Sequence, residues 1–295
     1  MQTVKSSFDV TPEGRLVSYR GYESNVIVPT GVTEIGAHAF FSCTALAEVW
    51  LPPTVRRIGA AAFDGCATLG FLSLPEALTD IGDMAFRGCR SLRRVSVSPK
   101  NRMFYEREGV LFDRCGQLVR YPPGRDAFAY TVPPGVHSLA GGVFSEATML
   151  REVGLPGSLT RIGQGAFYRA KHLRSLDLPP RVTEIGAEAF GACEALARVG
   201  LPCGLTTVPP LAFFGCAGLT DVALPPGVTK IGEGAFLGCR SLRSVTAGRL
   251  RVVGENAFSD CVSLRSVSAT ALPRVGTSGN EAFFTVAVQK NPRGS

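Results

Sequence analysis

The chain has 295 residues, 45% of them apolar, and 31 basic against 24 acidic side chains, for a net charge of +7. That apolar fraction is ordinary for a folded protein, and the mild charge permits an anionic partner without requiring one. No apolar run approaches the length of a membrane helix, which excludes a helical membrane span as the organising element.

The opening MQTVKSSFDV lacks the apolar core of a signal peptide, so the expectation is a cytosolic chain or one whose export signal has been removed. Residues 1–27 are predicted to be an N-terminal cap. Gly14-Arg15-Leu16-Val17-Ser18-Tyr19 precedes Val26-Ile27-Val28-Pro29, and end units of this kind shield the open face of a stacked array. Regular repeats run over 28–97. Their unit is LPPTVRRIGAAAFDGCATLGFLS from Leu51, which returns from Leu155, Leu178 and Leu224. Leucines 155, 178, 201 and 224 are each 23 residues apart, and a fixed period of this size marks a solenoid whose units cannot bury their apolar sides alone.

Within one unit, Val49 and Leu51 are expected to face inward and Glu48 and Trp50 outward on a short strand. Pro52-Pro53 ends that strand. Val55-x-x-Ile58-Gly59 reads as a second extended piece with a positive-φ glycine, and Ala62 to Cys66 as a short helical turn. The repeat phenylalanine then jumps from Phe86 to Phe144, 58 residues instead of 23, so 35 residues are inserted. The insert, 98–131, is predicted to be a hairpin or modified repeat. Its Gly116-Gln117-Leu118-Val119-Arg120-Tyr121 echoes the cap's Gly14 to Tyr19. Repeats resume over 132–283, decay after Leu272 to a last echo at Ala282-Phe283, and leave a tail, 284–295, that is polar from Gln289.

Seven of the nine cysteines (43, 66, 89, 193, 216, 239, 261) lie three residues after a repeat phenylalanine, where Ala147 and Ala170 stand in two units. The slot wants a small apolar group, so buried free thiols are expected. Neighbouring thiols should point the same way, which disfavours bridging. Cys115 and Cys203 fall off this ladder and read as exposed.

The pattern LPxxVxxIGxxAFxGCxxLxxVxLP, as it stands from Leu51 to Leu74, resembles the BspA-like (treponemal-type) leucine-rich repeat, over roughly residues 14–283. Leu139-Ala140 and Val208-Pro209 depart from its Ile-Gly pair. The resemblance implies a leucine-rich-repeat solenoid, a right-handed superhelix of about nine 23-residue repeats. Its parallel short strands would be joined by turns and short helical or 3-10 segments. It also implies a surface-associated bacterial protein implicated in adhesion to host matrix or in cell–cell contact.

Little in the sequence suggests catalysis. His38, His137 and His172 fall at variable repeat positions, and no zinc, calcium, Walker or nucleophile-elbow spacing occurs. Gly163-x-Gly165 and Gly232-x-Gly234 do not continue as a dinucleotide fingerprint. No enzyme activity, cofactor or metal is therefore expected. What remains is surface. Trp50 and Phe71 should lie on adjacent strands of one outward face, flanked by Glu48 and Arg94. They form either a binding hot spot or a patch covered by the cap or the insert. A column of arginines one residue after the repeat leucine (Arg93, Arg151, Arg174, Arg243 and Arg265) forms either a polyanion-binding edge or a solvated one. No aromatics interleave with it, so nucleic acid is not expected. The favoured function is protein–protein interaction through a concave strand face. The alternatives are a small apolar ligand or peptide in a concave pocket, or an anionic polysaccharide on the arginine edge. Opposite charges at Glu34, Arg57 and Asp80, and at Arg161 and Glu184, are expected to favour strand register.

Overall fold

A computed structural model describes residues 7–269, together with the strand backbones Arg274–Val275 and Phe284–Val286. The predicted echo at Ala282-Phe283 and the polar stretch from Gln289 lie outside the described residues. Residues 284–286, placed in the tail by the sequence reading, form a strand paired in parallel with Ser266–Ala269. The chain forms two compact units, one of residues 1–127 and 138–149, the other of residues 128–137 and 150–295.

In the first unit, the strands Asn25–Ile27, Glu48–Trp50, Phe71–Leu74 and Arg94–Val97 form one four-stranded sheet, and its ladders are parallel. Val26, Val49, Leu72 and Val95 point inward and are buried. Strand alternation places every second residue in the core. A second row, Arg15–Tyr19, Glu34–Ile35, Arg57–Ile58 and Asp80–Ile81, is closed at its start by Phe8–Val10 running antiparallel. The predicted charge alternation falls into register: Glu34 pairs with Arg57 and Arg57 with Asp80, and Arg57 and Asp80 approach to 3.3 Å. Between the rows, Phe40, Phe63 and Phe86 stack with centroids 4.9 and 5.9 Å apart.

The second unit repeats the plan. Phe167, Phe190, Phe213, Phe236 and Phe258 stack at 5.6, 5.1, 5.4 and 5.5 Å. Each unit is thus a stretch of parallel-strand, leucine-rich-repeat solenoid.

Two local expectations change. The segment after Gly59 forms separate turns closed by single bonds such as Asp64 N–H to Ala61 O and Cys66 N–H to Phe63 O. It does not form a helical run. Ala61 and Gly65 both have positive φ, and a left-handed residue every four positions interrupts a right-handed helix. Gly59 itself is not one of the positive-φ residues. Its hydrogen is required by close approach, because a Cβ there would lie 2.5 Å from the Ala37 nitrogen.

The cysteine slot carries more than small size. Cys66, Cys89, Cys193, Cys216, Cys239 and Cys261 each donate an Sγ–H bond of 3.0–3.2 Å to the carbonyl of the preceding repeat's phenylalanine. Burial pushes the Cys89 and Cys216 thiols up to about 12. All nine cysteines are free, Cys115 and Cys203 are exposed, and Cys43 is only partly buried.

Candidate binding surface

Trp50 and Phe71 are 46% and 42% exposed, so no described residue of the cap or insert covers them fully. Phe71 sits opposite Glu48 across the parallel ladder. Trp50 therefore lies diagonal to it, two residues along the same face, within reach of large side chains. Trp50 in turn sits opposite Ile27, which is 73% exposed. The three side chains make an oblique apolar strip across three consecutive strands.

Ile27 escapes the sequence reading because residues 1–27 read as a cap. The signal was present: Val26-Ile27-Val28-Pro29 aligns with Val49-Trp50-Leu51-Pro52, which gives Ile27 the outward register of Trp50.

The insert bounds this strip instead of covering it. Val110–Asp113 pairs antiparallel with Phe104–Arg107, and the hairpin tip docks on the last strand of the sheet. There Val95 N–H donates to Gly109 O at 3.0 Å. Glu106 pairs with Arg94 at 3.5 Å while accepting a 2.6 Å bond from Gly109 N–H. Arg94, predicted to flank the aromatics, is thus tied to the hairpin. Glu48 remains exposed at the other end of Phe71's row.

The arginines separate into two groups. In the first unit, Arg93 lines an open groove of about 570 Å³ together with Arg90 and Arg125. Arg90 pairs with Glu146 at 3.3 Å, and Arg125 donates to Glu108 O. In the second unit, Arg151, Arg174, Arg243 and Arg265 are all exposed and follow one backbone column. Arg174 N–H donates to Arg151 O, Ala197 N–H to Arg174 O, and Arg265 N–H to Arg243 O. The Arg151 guanidinium lies over the Phe128 ring at 4.7 Å, a cation–π contact that holds one member of the column in place.

The second unit's strand face differs in kind. An open groove of about 470 Å³ there is lined by Tyr130, Thr131, Glu152, Ser175 and Asp177 among others. It is polar, and it offers an apolar ligand little to bury against. Among the described residues no cluster of His, Cys, Asp and Glu could hold a metal ion, and no helix is long and apolar enough to cross a membrane.

Comparison with known proteins agrees with this architecture. The chain is similar to a leucine-rich cell surface protein from Faecalibacterium prausnitzii A2-165, with 28% identity and a TM-score of 0.66. The match covers 84% of this chain and 60% of that one. A leucine-rich repeat protein from Eubacterium ventriosum shares the fold at 23% identity and a TM-score of 0.67, over 95% of this chain and 90% of its own. So does the pneumococcal vaccine antigen PcpA, at 24% identity and a TM-score of 0.64, over 90% of this chain and 63% of that one. No curated protein matches. The BspA type leucine rich repeat region matches in six copies, over residues 19–120, 137–265 and 208–288. Most of the chain is covered by these matches, and the protein belongs to the BspA-type leucine-rich repeat family.

Proposed function

We propose that this protein is a non-enzymatic adhesion or host-interaction module that binds another protein through the strand face of its first unit. Proteins of this repeat class generally bind other proteins. The observation that carries the reading is the exposed strip Ile27, Trp50 and Phe71, on a face where fold stability asks for nothing apolar. Of the exposed large apolar residues among those described, only Phe128, Val252 and Val262 belong to the second unit. Aromatic anchors ringed by polar groups are the usual form of an interaction hot spot. A surface location is supported by the likeness to the Faecalibacterium cell surface protein.

The test is binding to a panel of immobilised matrix proteins and heparin, at low and high salt. Wild type is compared with a Trp50→Ala, Phe71→Ala double variant. The expected result is salt-resistant protein binding that weakens at least ~10-fold in the variant, since a hot-spot residue contributes ~2 kcal/mol or more. Unchanged protein binding in a folded variant would remove the strip from the site.

One observation favours a second reading, capture of an anionic polysaccharide: the groove lined by Arg90, Arg93 and Arg125. Heparin binding that is steeply salt-dependent and indifferent to Trp50 and Phe71 would place the activity there.

A further inference from the structure

The regular ladder breaks inside the first unit. From turn to turn, backbone N–H groups donate along the stack: Ala61 to Asp83 O at 3.0 Å and Phe63 to Ala85 O at 2.8 Å. One turn further on, the corresponding N–H groups of Met84 and Phe86 meet no accepting carbonyl among the described residues. The sheet that contains Asp80–Ile81 ends there. What comes next along the chain is the insert, whose strand Gln117–Arg120 pairs in parallel with Ser138–Leu139 and whose Tyr121 N–H donates to Val143 O.

This is the arrangement of the cap, where Arg15–Tyr19 pairs with Glu34–Ile35 and Tyr19 N–H donates to Ala39 O. Tyr19 packs tilted against Phe40 and Tyr121 likewise against Phe144, with centroids 5.2 and 5.3 Å apart. The insert therefore starts a stack afresh. The seam it leaves contains a cavity of about 30 Å³, lined by Met84, Phe86, Arg120, Ala140 and Gly142 among others. A space of this size takes one small ion or a water or two.

Arg120 makes the cavity chemically specific. The residue is only 2% exposed. Its Nη1 donates to Gly142 O and to Ser145 Oγ. Its Nε and Nη2 are buried and have no acceptor. Those two nitrogens form one edge of the guanidinium, with near-parallel N–H bonds suited to a single anion.

Nor does a carboxylate bond to that edge. Asp64 is already paired with Arg87 at 2.9 Å and Glu146 with Arg90 at 3.3 Å. Asp83, which also lines the cavity, is exposed to solvent, and Asp64 and Glu146 act on Arg120 through space without bonding to its free edge. Burial lowers Arg120 to about 10, which leaves it charged at neutral pH. A buried charge without a partner is strongly destabilising. Water would satisfy the donors but would bring no negative charge to that edge.

We propose that this seam is a binding site for a small monovalent anion of chloride size, held by the Nε and Nη2 edge of Arg120 and by the backbone N–H groups of Met84 and Phe86. The anion neutralises the buried guanidinium and holds the inserted strand against the turn before it.

The experiment compares thermal unfolding of the full chain in sodium chloride and in sodium gluconate at one ionic strength, with diffraction from crystals soaked in bromide. The expected outcome is a saturable rise of a few degrees in the midpoint with chloride and an anomalous bromide peak at the Nε and Nη2 edge. An Arg120→Met variant should lose the chloride dependence. If that variant does not fold, the wild-type halide titration and the bromide map decide alone. A midpoint indifferent to chloride, together with only water or the Glu146 carboxylate on that edge, would overturn the proposal.

Discussion

The strand faces of the two units share a backbone plan and differ in what they show to solvent. In the first, Val26, Val49, Leu72 and Val95 point inward while Ile27, Trp50 and Phe71 point out. In the second, Leu176, Val199, Val222 and Val245 point inward, and the outward positions are Ser175, Asp177, Arg198, Gly200, Asp221, Ala223, Ser244 and Thr246. Both faces are stable strand rows, so the outward side chains are free of the constraint that fixes the inward ones. The solenoid tolerates serine, glycine or tryptophan at one register position because that position faces no neighbouring layer. An apolar strip placed there adds little to the fold and is available to a partner.

That contrast can be tested by substitution on either side of the strand. The largest effect is expected from the inward stack: Phe190→Ala removes a fully buried ring held between Phe167 and Phe213. It should cost ~3–5 kcal/mol in urea unfolding followed by circular dichroism. The contact between turns comes next. A Cβ on Gly186 would lie 2.4 Å from the Gln164 nitrogen, whereas one on Gly157 meets nothing within 4 Å. Gly186→Ala should therefore lose ~1–3 kcal/mol by overpacking, and Gly157→Ala should stay within ~0.5 kcal/mol. Equal midpoints for the two glycine variants would sink the close-approach account.

The buried thiols give a graded effect with pH. Cys89 and Cys216 are raised to about 12 in the folded protein, against ~8.5 in an unfolded chain. The folded state then holds more protons between those values, so stability is full below pH ~8.5 and falls as pH rises toward 12. The slope is at most ~1.4 kcal/mol per pH unit for each thiol. Urea midpoints measured from pH 8 to 11 should decline less steeply in a Cys89→Ala, Cys216→Ala variant. A parallel decline would mean that the thiols do not contribute.

A small effect on stability is expected from the outward strip. Trp50→Ser with Phe71→Ser gives the first face the character of the second. It should shift the unfolding free energy by only ~1 kcal/mol while abolishing partner binding. A large loss of stability would show that the strip belongs to the core after all.

Much of this was open to inspection in the residues themselves. The 23-residue spacing from Leu155 to Leu224 marks the solenoid, because each unit packs on the unit one period away and so repeats its inward slots. The same logic placed Phe63, Cys66 and Val49 inside and Trp50 and Phe71 outside. Two features were decided only by the tertiary structure. Gly59 reads as a turn glycine, but what excludes a side chain there is the Ala37 nitrogen of the neighbouring turn, a contact no local pattern encodes. Arg120 looks like one more polar residue in an irregular insert. It becomes a buried charge because the insert breaks the period, and with the period broken no spacing specifies which turn it will face.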